Sequence, residues 1–185
     1  ASVEQHVTLS AHPFEVLVPP GKYTITVERG KEYVPLVQSI EVGSEPAEAS
    51  LAIERWINMS RLGWYSGDVH AHRPLAEMPN LVMAEDLNVA MPLSHWVTNS
   101  DTSPQAGNRV KEAAPQPKWI PVDATHGIYP LNTEYEIFTV KGKSHTLGAV
   151  LICGQKSVLE QGVPPVRRIA EQAHADGAFL DLEKH

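Results

Sequence analysis

Near residue 60 the spacing of the apolar residues changes, and that change limits the fold more than any other feature of the chain. Before it the pattern is that of short strands. Tyr23-Thr24-Ile25-Thr26-Val27 alternates with period two, as a half-buried strand does. Residues 14–18 alternate weakly before the turn Pro19-Pro20-Gly21. Two further strands are predicted over 33–42 and 49–57, parted by Gly43-Ser44-Glu45-Pro46. From Gly63 onward strands and helices alternate. Strands are predicted over 65–72, 88–95, 134–140, 146–153 and 179–185, with helices over 80–87 and 165–175. The second helix carries Val166, Ile169, Ala170 and Ala173 on one face, opens at Pro164-Pro165 and closes at Gly177. Residues 100–118, polar and rich in Pro and Gln, read as a long loop. The expected organisation is a small all-β sandwich over residues 1–60, then an α/β domain over 61–185.

Composition narrows the partners. With 185 residues and 42% apolar, the chain can bury a core. Its formal net charge is -7, and no block of Lys or Arg stands out, which argues against nucleic acid or an anionic membrane as the main partner. A small-molecule substrate fits better, since a metal ion can supply positive charge locally. Cys153 is the one cysteine, so no internal disulfide forms and no cysteine cluster holds zinc; it reads as a core thiol. The chain begins at Ala1, and removal of a leading segment would make it secreted or periplasmic. It stops at His185, straight after a strand pattern. That predicts an incomplete domain with open strand edges, and hence a homo-oligomer.

The chemistry gathers in Gly67-Asp68-Val69-His70-Ala71-His72. On a strand Asp68, His70 and His72 project to one side, and Val69 and Ala71 to the other. Two imidazoles so spaced reach one metal-sized volume, while the carboxylate binds a neighbouring ion or orients a histidine. The plain alternative is a set of polar residues on an exposed strand face. In 179–185, Leu180 and Leu182 face one way, and Asp181, Glu183 and His185 the other, which suits either a metal site or a solvated edge. Glu134 and Glu136 share a face, and such neighbours repel unless a cation or proton lies between them. His95 ends an apolar run, His145 opens a strand, and His126 sits in a loop as a solvated group or a substrate contact.

Two resemblances follow from these motifs. Pro-Pro-Gly-Lys-Tyr-Thr-Ile-Thr-Val, residues 19–27, resembles transthyretin-like or carboxypeptidase-regulatory-like sandwich modules. Residues 64–72 resemble the Trp-x-x-Gly-Asp-x-His-x-His start of CehA/McbA-like proteins in the PHP superfamily of metal-dependent hydrolases. Ser94-His95 resembles that family's second motif, with Ser94 where an acid often stands. Glu136 followed by His145 resembles its Glu then Gly-His pattern, with Ser144 in place of Gly, and His185 resembles a histidine ending a later strand. The family's closing Asp-x-His motif is absent.

The resemblance implies a distorted, partial β/α barrel preceded by the sandwich, with two or three divalent ions: zinc, manganese or iron. It makes His70, His72, His95, Glu136, His145 and His185 the metal ligands. Asp68 and Glu136 become the catalytic candidates, with Asp68, Glu134, His126, Asp181 and Glu183 as further site residues. The implied activity is hydrolysis of a phosphoester, or of an amide or carbamate, by metal-activated water. The alternative is a non-catalytic metal-binding or structural module derived from such a barrel.

Overall fold

The computed structural model describes residues 7–106, 115–144 and 148–184. Strand β1, Gly21–Val27, pairs antiparallel with β3, Leu36–Val42, and Tyr23 lies opposite Ile40. Between them lies β2, Tyr33–Val34, which pairs instead with β4, Glu54–Arg55. The alternation over 21–27 therefore forms a strand as expected. The predicted strand over 33–42 is interrupted, and that over 49–57 shrinks to β4. These are two ribbons of two strands each, not a sandwich. Among the described residues the buried apolar clusters take no residue before Val69, so no pair of packed inner faces is found there.

The rest begins with β5, Gly67–Asp68, then helix α1, Met78–Glu85, and β6, Val89–Ala90, which pairs parallel with β5. Pro79 sits in the first turn of α1, where its missing N–H is harmless, and Asp86 closes the helix in the left-handed region at φ 57°. Beyond β6 the chain runs straight on into β7, His95–Asn99, followed by β8, Gln105–Ala106. β9, Ile120–Pro121, and β10, Gly127–Ile128, complete a four-stranded sheet in the order β5-β6-β10-β9. From β10 the chain again runs on, into β11, Asn132–Val140. Then come β12, Lys143–Ser144, β13, Ala149–Cys153, helix α2, Val166–Asp176, and β14, Phe179–Lys184. The second sheet has the order β14-β13-β11-β7-β8, with β12 on β11.

This corrects the expected barrel. The molecule is mostly β, with 32% strand and 16% helix, in mixed sheets that do not close. A β/α barrel needs a helical crossover between each pair of neighbouring parallel strands. Here β6 reaches β7, and β10 reaches β11, with no helix between. The pair β11 and β13 is antiparallel, and α2 joins two antiparallel strands. Two helices among the described residues, α1 and α2, are too few for a barrel.

Each sheet face has its own packing. Tyr135 and Ile137 of β11, Val97 of β7 and Ile152 of β13 meet Ile169 and Ala173 of α2 in one buried cluster. Of the face predicted for α2, Ile169 and Ala173 are buried, whereas Val166 in the first turn is exposed; a left-handed cap at Gly177 ends the helix. On the opposite face Leu93, Ala149, Leu151 and Cys153 form a second cluster, joined by Val69 and Met91. Met78 and Val82 of α1 pack with Ala90 and Ile128 in a third. The segment after β5 thus lies across the second face of the larger sheet. Among the described residues no helix is long and apolar enough to cross a membrane.

Candidate metal centre

The segment 67–72 does not keep the alternation of a regular strand. Val89 N–H donates to Ser66 O at 3.0 Å, Met91 N–H to Asp68 O at 2.8 Å, and Leu93 N–H to Ala71 O at 3.0 Å. The acceptors step from 66 to 68 to 71 while the donors step from 89 to 91 to 93. One extra residue is therefore taken up between Asp68 and Ala71, as in a bulge, and bulges re-aim side chains. Asp68 holds this shape, since its Oδ1 accepts from the His70 N–H at 2.8 Å. Its carboxylate is engaged in the turn rather than in the cluster.

The irregular segment brings His70 and His72 over Glu134 on β11. His72 Nε2 lies 2.9 Å from Glu134 Oε2, and His70 Nε2 lies 3.4 Å from Glu134 Oε1. The three ligand atoms all fall within 4.8 Å of one another. Glu134 is buried at 1% side-chain exposure, His70 is half-buried, and His72 is open to solvent at 39%. The His72 ring stands edge-on to Trp96 at 4.9 Å between centroids.

These residues fit a divalent ion. Two neutral imidazole nitrogens and one carboxylate oxygen form a usual donor set for zinc and its neighbours. Ligand bonds of about 2.05 Å at tetrahedral angles put donor atoms about 3.3 Å apart. The two histidines approach different oxygens of Glu134, at 3.4 Å and 2.9 Å, and one donor atom from each residue lies within 4.8 Å of the others. The cluster can hold a metal ion once the side chains turn their donors toward one centre.

Other expected residues fall elsewhere. Glu136 shares the face of Glu134 one step along β11, opposite Ala149, but its carboxylate is outside the converging group. Asp181 sits on that face too, since it pairs with Leu151, which pairs with Glu134. With β13 between, it is about 9.6 Å away in strand spacing, too far to share one ion with the histidines. His95 pairs with Thr133 and so lies on the face of Tyr135, away from the cluster. It is buried, its Nδ1 lies 3.0 Å from Ser94 Oγ, and burial holds its pKa below the usual histidine value. His145 and His185 lie outside the described residues, as does the side chain of Glu183 on β14. Trp96 was not singled out by the sequence. Alternation from His95 puts Trp96 on the opposite face, so taking His95 as a ligand hid its neighbour.

His126 belongs to a different constellation. It is buried, with Nδ1 2.8 Å from both carboxylate oxygens of Asp123 and Nε2 3.2 Å from Asp86 Oδ1. Asp86 also receives Arg29 at 3.0 Å and Arg55 at 2.9 Å, and Arg55 reaches Glu32 at 2.6 Å. The Arg55 guanidinium holds the Glu32 carboxyl below its ordinary value. The Thr125 N–H, aided by the His126 side chain and N–H, draws the Asp123 pKa down from 3.8 to about 2. Both nitrogens of His126 thus meet carboxylates in a buried setting, which corrects the alternative of a solvated loop group.

No family model, no curated protein and no solved structure matches the chain. The functional reading therefore rests on the residues and their arrangement.

Proposed function

We propose that the chain is a metal-dependent hydrolase related to the PHP superfamily, acting on a small molecule at the His70–His72–Glu134 centre. The observation that carries the reading is the convergence of two imidazoles on one buried carboxylate beside an open surface. Catalytic metal sites commonly combine three protein ligands with a position left for water or substrate. The exposure of His72 is consistent with such an opening. A divalent ion held there supplies the charge that acidifies water and polarises the scissile group.

The chain's own residues supply the rest. Glu134 contributes negative charge from a buried, fixed position, and the His70 and His72 side chains contribute neutral donors. Asp68 fixes the backbone that aims His70. Glu136, two residues along β11 on the same face, is the residue assigned to accept a proton from the attacking water. The donor set suits zinc, manganese or iron, and the substrate is a phosphoester or an amide or carbamate. Elemental analysis of purified protein, combined with hydrolysis of nitrophenyl phosphate, ester and carbamate substrates, tests this. Bound transition metal is expected, with turnover abolished by chelation and restored by the ion. The double substitution His70→Ala with His72→Ala should remove both. Equal metal content in wild type and double variant would sink the proposal.

A further inference from the structure

We infer that Trp96 is a positioning residue of this centre, holding His72 ready for the ion; the inference rests on the metal reading above. Of the three ligands, Glu134 is fixed by burial and His70 is half-buried, with its backbone pinned by Asp68. His72 is the most exposed, and an exposed imidazole has the most rotamer freedom to lose when it binds. Trp96 restricts that freedom. It lies directly opposite Glu134 in the parallel pairing of β7 with β11, so its indole stands on the same sheet face beside the carboxylate. From there its ring meets the His72 ring at 81°, the edge-to-face arrangement that aromatic pairs favour. The carboxylate and the indole thus meet His72 from neighbouring strands. Their strand positions fix both, so the imidazole is set before any ion arrives. The indole also walls the centre with apolar surface, which keeps water from one side of the donors.

Two measurements on the full chain test the assignment. Zinc affinity, read by competition with a chromophoric chelator, should fall about tenfold in Trp96→Ala, the scale seen when partners that orient metal ligands are removed. Trp96→Phe keeps an aromatic edge against His72 and should stay within about threefold of wild type. The second readout is fluorescence. The four tryptophans are Trp56, Trp64, Trp96 and Trp119, and the ring contact to His72 belongs to Trp96. Cobalt(II) quenches indoles at short range, so titration should quench wild type and leave Trp96→Phe largely unquenched, though that variant still binds the ion. Wild-type affinity in Trp96→Ala, or undiminished quenching in Trp96→Phe, overturns the role of Trp96 while leaving the centre standing. Undiminished zinc affinity in the His70→Ala, His72→Ala double variant overturns the centre itself and this role with it.

Discussion

Among the described residues histidine meets carboxylate in two places, and the two arrangements have opposite charge balance. At the sheet face two imidazoles converge on the single carboxylate of Glu134. Around Asp86 one imidazole, His126, is held between two carboxylates, and Arg29 and Arg55 bring cations to one of them. The second group carries its own positive charge, and both ring nitrogens of His126 meet carboxylates. It reads as a structural hub, which ties Arg29 and Arg55 of the ribbon segment to the end of α1. The first group gathers two imidazole rings and one carboxylate at the edge of solvent, an arrangement that a divalent cation completes. Pairing of His with an acid is therefore no guide to function by itself; the ratio of donors to charges is.

Glu134→Gln gives the sharpest separation of the two. It keeps the size of the buried side chain and removes the charge between the histidines. Metal affinity should fall more than about 100-fold, beyond the range for partners that only orient a ligand. The hub is untouched, so unfolding of the metal-free variant should shift less than it does for any charge change at Asp86. Retained affinity would mean that Glu134 is no ligand, and the contrast would lose its basis.

Asp86→Asn is the converse. Asn tolerates the left-handed backbone at this position, so the substitution isolates the charge. Asp86 is 7% exposed and meets Arg29, Arg55 and His126. Breaking a buried ionic group by removing one partner costs about 3 kcal/mol. Denaturant unfolding should show a loss of that order, with zinc affinity unchanged. A loss under about 0.5 kcal/mol would show that the hub carries little of the stability assigned to it.

How far these sites were legible in the sequence follows from what fixes each. The motif Gly-Asp-Val-His-Ala-His pointed to His70 and His72 because two imidazoles two residues apart on one strand reach the same metal-sized volume. Regular alternation would have put Asp68 beside them, but the extra residue before Ala71 broke the alternation and left Asp68 bonding its own backbone. Glu134 and Glu136 were equal on period two. Which of them lies under the histidines depends on the stagger between β11 and the segment above it, and no local pattern encodes that. β1, α1, α2 and the strands β11 and β13 were readable because their periodicity and end signals are local. The barrel was not, because sheet order and strand direction are set by non-local pairing. The hub was invisible for the same reason, since Arg29, Arg55, Asp86 and His126 are far apart in the chain.

The smallest expected effect lies at Asp123 and tests how the hub responds to acid. The Thr125 N–H and then the His126 side chain and N–H favour the charged carboxylate, which lowers its pKa from 3.8 to about 2 in the folded protein. A depressed folded pKa means that the ionised group stabilises the fold above the unfolded value. That contribution fades as pH falls from about 3.8 towards about 2. Asp123→Asn retains an oxygen that can accept from the Thr125 and His126 N–H groups, so only the charged part of the interaction is lost. The side chain is 38% exposed, and solvent screening limits the loss at pH 7 to less than about 1 kcal/mol. Denaturant unfolding of wild type and variant at pH 7, 4 and 2.5 should show the gap narrowing on acidification. A gap that widens as pH falls, or persists unchanged at the lowest pH, would show that the Asp123 charge is not what holds His126 in the hub.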